Sequence, residues 1–450
     1  MKRNIKFIAS IAAIGLTAAA FTGCTRFEED EFFDESAAVR AVHISNEVQN
    51  LLVSAPQGWV IQYHVGYSLV EGFNLFANFN KGGKVTIAGD HRFLRDGNAG
   101  KYTESASLYE MLREESIVLS FNTWNDVLTP FVDPVSSKDA PNALNKDGIG
   151  MKGDQNLVLK SYNENEIILR GERYGAEIRF VKADRPWREY IADTEAMKKN
   201  IANSTITSYY LTAGEKDTLY YVGLRAGRFR KSDRVNDPLR IDSIFCCFTP
   251  EGFRNEYKDT ISGHTFQEFR LAADKSCLES EDRTVRVIPT WDIYMASHNA
   301  IWELDASMFS DEQSELYTQL AAEIKKFNSA WSLKSIGFGQ STGGNSINGL
   351  VLTCYTNAAK SKTNTLGMAV AQARVAYGLI EFTMGDTPVV DNNMKAAATN
   401  KATNLIELTK QFAATLMGRY TVTPNDYFLP TGGTYTPVGE GTAFTLGSNN

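Results

Sequence analysis

The chain has 450 residues, 43% of them hydrophobic, and a formal net charge of -7. That length and composition suffice for two or three globular domains with buried cores. An acidic chain without a basic cluster is a poor partner for a phosphate backbone, so nucleic acid is set aside as a ligand class.

Lys2, Arg3 and Lys6 precede an apolar stretch from Phe7 to Phe21 that is too short to remain in a bilayer as a spanning helix. Residues 1–23 therefore read as a secretory signal. Phe21-Thr22-Gly23-Cys24 looks like a bacterial lipobox, which implies acylation of Cys24 as the new N-terminus. Each buried methylene adds about 0.8 kcal/mol, so a multiply acylated cysteine is a stable anchor. Residues 24–35 form a solvated acidic tether in which Glu28, Glu29 and Asp30 resemble the surface-export signal of Bacteroidota lipoproteins. The expected address is the outer membrane, lipid-anchored and exposed at the cell surface.

From 36 to 185 the pattern predicts one helix followed by antiparallel strands. Val39, Val42, Ile44, Val48, Leu51 and Leu52 recur at helical spacing, and Pro56 closes the run. "GWVIQYHV", "NLFANFN", "GKVTIAG" and "ESIVLSFNTW" read as strands punctuated by Gly and Asn. "NLVLKSYNENEIILRGERYGAEIRFVKA" alternates in three runs, with turns at 163–165 and 171–175, and predicts a meander. A helix beginning at Pro186 suits proline in a first turn and marks the expected boundary with a C-terminal α+β domain, 186–450.

In the second half, strands are expected at "TLYYVGLRAG", "DSIFCCFTP", "NGLVLTCYTN", "LGMAVAQARVAYG", "LIEFTMGD" and "GRYTVTP". Helices are expected at "SDEQSELYTQLAAEIKKFNSA", with Ser310 as N-cap and Gln313 three residues on, and at "ATNLIELTKQFAATLM". The fold class is α+β and β-rich, with curved antiparallel sheets or meanders covered by helices. An internal repeat is suggested by helix, Trp59, strand, turn, strand against helix, Trp331, strand, "GQSTGGNSING", strand.

Several stretches imitate chemistry. "GQSTG", 339–343, matches a nucleophile elbow at Ser341, but Gly and Asn residues and a strand follow where that elbow needs a helix. All five histidines, His43, His64, His91, His264 and His298, precede Ser341, against the usual hydrolase order. "GIGMKG", 148–153, fits G-x-G-x-x-G but leads into a strand, so it reads as a turn. Asn145, Asp147, Gly148 and Asp154 fall at calcium-loop positions 3, 5, 6 and 12, with Ala143 at position 1 and no flanking helices.

Cys246 and Cys247 sit in one strand and point to opposite faces, so these two, Cys277 and Cys354 are read as free buried thiols. Tyr209, Tyr210, Tyr220, Tyr221, Trp124, Trp187, Trp291 and Trp302 could stack on sugars, although aromatics in a β-rich protein more often fill cores. No catalytic residue, cofactor or metal is assigned.

The lipobox, "ESIVLSFNTWNDVLTPFVDP", "GIGMKGDQNLVLKSYNENEIILRG" and "FAATLMGRYTVTP" resemble a family of uncharacterised Bacteroidota lipoproteins that share a domain of unknown function. The resemblance implies genes beside nutrient-import systems of the starch-utilisation type, with an outer-membrane transporter and a substrate-binding lipoprotein as partners. The expectation is a non-catalytic surface binding or accessory protein. An extracellular hydrolase acting on polysaccharide or peptide through paired carboxylates, and a structural partner in an outer-membrane complex, are the alternatives.

Overall fold

The computed structural model describes residues 36–66, 70–113, 115–133, 151–214, 216–225, 227–232, 241–297, 300–342 and 344–448. Cys24, Glu28, Glu29 and Asp30 lie outside them, as do Ala143, Asn145, Asp147, Gly148 and His298.

Three antiparallel sheets follow one another along the chain. The first contains β1 (Trp59–Tyr63), β2 (Phe73–Phe79), β3 (Lys84–Gly89), β4 (Thr103–Leu108), β5 (Glu110–Arg113), β6 (Ile117–Ser120), β7 (Asn156–Tyr162), β8 (Glu166–Gly171) and β9 (Glu177–Lys182). Its order is β4-β3-β2-β1-β9-β8-β7-β6-β5. The second is a closed barrel of β10 (Tyr209–Ala213), β11 (Lys216–Arg225), β12 (Arg228–Ser232), β13 (Ile241–Thr249), β14 (Gly252–Ile261), β15 (His264–Leu271), β16 (Leu278–Ser280) and β17 (Val285–Pro289).

The third sheet contains β18 (Trp302–Leu304), β19 (Ser332–Gln340), β20 (Asn348–Tyr355), β21 (Thr363–Ala369), β22 (Ala371–Ala376), β23 (Leu379–Thr383), β24 (Gly418–Pro424), β25 (Gly432–Pro437) and β26 (Phe444–Gly447). Its order is β21-β20-β19-β18-β26-β25-β24-β23-β22, the order of the first sheet strand for strand. The segment 186–450 thus holds two sheet systems, the barrel and a repeat of the first sheet.

In all three the first strand pairs with the last: β1 with β9, β10 with β17 and β18 with β26. The two outer strands of each nine-stranded sheet are successive parts of one bent strand. β4 and β5 meet at buried Tyr109, and β21 and β22 meet at buried Val370. The Tyr109 ring packs edge-on against Phe79 at 4.9 Å and its hydroxyl donates to the Asn80 carbonyl at 2.9 Å, which pins the bend.

The repeat has a different register from the one expected. Trp59 opens β1, and its topological counterpart is Trp302, which opens β18. Both are buried, whereas Trp331 is only half-buried and precedes β19. The helix Asp311–Phe327 enters between the first two strands of its sheet, while the helix Ala37–Val53 precedes the whole of its own. Similar local patterns therefore aligned elements that the topology does not.

Period-two alternation explains the layers of the first sheet. Trp59, Ile61, Tyr63, Leu75, Ala77 and Phe79 face one core together with Val48 and Leu52 of the first helix. Val60, Phe76 and Ala88 face the other way, against Tyr190 of the helix Trp187–Ile201. The first helix is anchored only over its second half, because Val39 and Val42, expected on its apolar stripe, are exposed. Ser310 and Gln313 form the reciprocal capping box expected of the helix Asp311–Phe327.

The first sheet is joined to the barrel through Gly72. Its N–H donates to the Cys246 carbonyl at 3.1 Å, and two residues on Asn74 Nδ2 donates to the Phe248 carbonyl at 2.7 Å. A Cβ on Gly72 would overlap the buried His64 ring and lie 2.8 Å from Cys247 Cβ. Neither neighbour can retreat, so Gly72→Ala should cost about 2–3 kcal/mol of overpacking in urea unfolding. Gly223→Ala, where nothing lies within 4 Å of the new Cβ, should change stability by less than about 0.5 kcal/mol. Equal effects of the two substitutions would contradict the tight junction.

Candidate functional site

A cleft of about 580 Å³ opens where the first sheet, the barrel and the helix Trp187–Ile201 meet. The segment leading into β2 supplies Glu71 and Gly72, the start of β2 supplies Phe73 and Asn74, and the loop after β3 supplies Asp90, His91 and Arg92. The helix contributes Ile191, Thr194, Glu195 and Lys198, spaced at i, i+3, i+4 and i+7 and so on one helical face. The barrel closes the cleft with Gly227 and Phe248. Gly227 has φ +65°, and a Cβ there would overlap the Glu71 side chain, so glycine is required by both backbone and packing.

Ion pairs hold the walls. Arg92 grips Glu71 through two bonds of 2.6 and 3.1 Å, a fork geometry that fixes both side chains. His91 is buried with its tautomer set by its partners, since Nε2–H donates to the Val127 carbonyl at 2.8 Å and Nδ1 accepts from Phe93 N–H at 3.3 Å. Behind the cleft, Arg179 bonds Glu268 at 2.9 Å and Arg254 bonds Glu177 at 2.9 Å, each joining β9 to the barrel. Arg254 is almost fully buried, so removing Glu177 would strand a desolvated charge.

Charges at the cleft are unevenly matched. Glu71 is paired with Arg92, and Glu195 lies 3.8 Å from Lys198. The Asp90 carboxylate accepts from its own backbone N–H and feels the Lys198 charge. Burial, with a smaller contribution from the nearby Glu195 charge, raises its carboxyl above the usual carboxylate range. Thr194 is more than nine-tenths buried, and its Oγ1 has no hydrogen-bond partner.

The residues singled out from sequence are distributed otherwise. Ser341 lies in the connection between β19 and β20, buried, with its Oγ accepting from Ile347 N–H at 3.2 Å. The next element is a strand, as the glycine-rich sequence required. Of "GIGMKG", the described part, 151–153, leads into β7, and Gly153 N–H donates to the Phe131 carbonyl at 2.9 Å. The Asp154 carboxylate accepts from the N–H groups of Arg173 and Tyr174 at 2.9 and 3.0 Å, closing the 171–175 turn. Gly171 leaves room for that carboxylate, which any Cβ would overlap.

Among the described residues no three His, Cys, Asp or Glu side chains cluster as metal ligands. No described helix is long and apolar enough to cross a membrane. Cys246, Cys247, Cys277 and Cys354 are free and buried. Cys246 faces the barrel core, while Cys247 donates to Asn74 Oδ1 at 3.1 Å on the other side of the strand.

Of the aromatics considered for stacking, Tyr209, Tyr210, Trp291 and Trp302 are buried. The side chains of Tyr220 and Tyr221 lie outside the described residues. Trp187 is half-buried and stacks on Phe76 at 5.7 Å. Trp124 is exposed, with Arg95 over its ring at 5.5 Å.

The cleft is hard to read from sequence because the residues named above come from five separated stretches. The available signal was the recurrence of Ile191, Thr194, Glu195 and Lys198 on one face of a helix.

The fold and cleft define a three-sheet β protein with an acidic site at the junction of its first two sheets. Residues 29–273, more than half of the chain, match the family described as Domain of unknown function (DUF4302), and the protein belongs to that family. No curated protein matches the chain by sequence. The chain is similar to the DNA polymerase III β chain of Streptococcus pneumoniae, at 10% identity and a TM-score of 0.13 over 91% of this chain and 97% of that one. It is also similar to the Helicobacter pylori β clamp bound to a DNA ligase peptide, at 9% identity and a TM-score of 0.12 over 90% of this chain and 97% of that one. At those TM-scores neither likeness carries an argument.

His64 gives the junction a pH dependence. It is buried, neither ring nitrogen has a hydrogen-bond partner, and burial with the neighbouring Arg254 charge pushes its pKa down to about 3. His91 is pushed down to about 4 by burial. A depressed histidine contributes its full stability above the unfolded-state value of about 6.5 and loses it as pH falls toward the folded value. The urea midpoint should therefore drop between pH 7 and pH 4. His64→Leu should drop clearly less, because it removes one of the two groups. A variant that follows the native pH profile would show that His64 is not buried neutral.

Proposed function

We propose that the protein is an outer-membrane lipoprotein, held by acylated Cys24 and displayed at the cell surface, that serves as a non-catalytic binding component of a nutrient-uptake system. The observation that carries the binding half is the cleft, whose walls are fixed before any ligand arrives by the Glu71–Arg92 fork and the backbone bond from Gly72 to Cys246. A preformed concave site that mixes apolar and polar lining is the usual form of a small-ligand site. The lipobox and the acidic residues Glu28, Glu29 and Asp30 support the address. An outer-membrane transporter and a substrate-binding lipoprotein are the partners this reading calls for.

One observation favours a second reading, an extracellular hydrolase. Asp90 holds its proton more tightly than an ordinary carboxyl and shares the cleft with Glu195, and unequal carboxylates can divide acid and base roles. In that reading Asp90→Asn abolishes turnover of a polysaccharide or peptide, whereas a binding protein has no turnover to lose.

The address is tested in cells. Cys24→Ala should leave the protein unprocessed or soluble, and unchanged retention in the outer-membrane fraction would refute the anchor. Replacing Glu28, Glu29 and Asp30 by Ala should keep the anchor but hide the protein from protease added to intact cells. Continued digestion would reduce the tether to a linker.

A further inference from the structure

We infer that the cleft binds a primary alkylammonium group, the end of a lysine side chain or of a free polyamine. This rests on the cleft being the ligand site. A primary ammonium presents three N–H donors and accepts nothing. The cleft offers matching acceptors in the carboxylates of Asp90 and Glu195 and the hydroxyl of Thr194.

One of these, the Thr194 hydroxyl, is unsatisfied in the free protein. Thr194 lines the cleft more than nine-tenths buried, with Oγ1 unpartnered, while the Asp90 carboxylate is met by its own backbone N–H and by the Lys198 charge that it shares with Glu195. A buried polar atom left without a partner costs free energy, and a ligand donor would recover it. With Glu71 matched by Arg92 and Glu195 by Lys198, Asp90 leaves one negative charge in excess. That selects a cation over a neutral hydroxyl compound.

The walls suit the stem as well as the head. Ile191, Phe73 and Phe248 are apolar surfaces along which methylenes can lie. Lys198 already behaves as the proposed ligand would, its ammonium 3.8 Å from Glu195 and 5.6 Å from the centre of the Phe248 ring. This resident cation occupies the rim and competes for Glu195. The protein's acidic balance draws cations toward it in general.

Calorimetric titration of the purified full chain tests the assignment. The probes are 1,5-diaminopentane, Nα-acetyl-lysine amide, their neutral counterparts 1,5-pentanediol and Nα-acetyl-norleucine amide, and a neutral maltooligosaccharide. The two amines should bind and their neutral counterparts should not. The tighter of the two amines identifies a free polyamine or a peptide side chain as the source.

Asp90→Asn should weaken binding at least about tenfold, the loss of one charge-assisted hydrogen bond. Thr194→Val should weaken it less, and Lys198→Met should tighten it by removing the competitor. Matching thermal melts exclude misfolding as the cause. Diol binding as tight as diamine binding, unchanged affinity in Asp90→Asn, or no heat with either amine would overturn the inference. Binding of the maltooligosaccharide that is lost in Asn74→Ala, with no amine binding, would keep the cleft as the ligand site and still overturn the ammonium assignment.

Discussion

The backbone bond from Gly72 N–H to the Cys246 carbonyl is the contact on which the arrangement of the first two sheets depends. It exists because residue 72 has no side chain, which lets the chain pass against His64 and the back of Cys247. Once that approach is made, Asn74 reaches the Phe248 carbonyl and Cys247 reaches Asn74. The approach of Glu71 to Gly227 is fixed by the same path. The cleft is the space left between the start of β2, the loop after β3, the barrel and the helix Trp187–Ile201 that leans across the gap.

A single neutral hydrogen bond contributes only about 1 kcal/mol net, too little to hold two sheets in register by itself. Two ion pairs with mostly buried arginines add to it. Arg179 with Glu268, and Arg254 with Glu177, cross the same junction a few residues away. Replacing such pairs by apolar residues can leave stability unchanged, but breaking one leaves a buried charge and costs about 3–5 kcal/mol. Their role here is to make other relative placements of the sheets expensive. A junction fixed in this way can keep the Thr194 hydroxyl unsatisfied, since no local rearrangement is free to rescue it.

Much of the local structure was legible. The three alternating runs from Asn156 to Lys182 fold as a meander, the helix expected from Pro186 begins one residue later at Trp187 with Pro186 as its N-cap, and Ser310 with Gln313 forms the expected cap. These signals depend on residues within a few positions of one another. Closure of β10 on β17 is not such a signal, and neither is the return of β9 to β1. The local pattern contains the repeat but aligns Trp331 with Trp59 where the strand order aligns Trp302, because a helix inserted within the third sheet imitates the helix that precedes the first. Val39 and Val42 followed helical spacing and still ended in solvent, since periodicity defines a face but not the length over which a partner covers it. The cleft was not legible, because Glu71, Asp90, Thr194 and Phe248 meet only through the sheet junction.

The most direct measurement is native-state hydrogen exchange at the Gly72 amide, compared with the Ile61 amide in β1 and the Leu211 amide in β10. If the junction is a fixed part of the fold, Gly72 should exchange as slowly as those core amides and share their denaturant dependence, opening only when the two sheets unfold. Exchange of Gly72 at the rate of an exposed turn, with Ile61 and Leu211 still protected, would show that the sheets separate freely and that the cleft has no fixed shape.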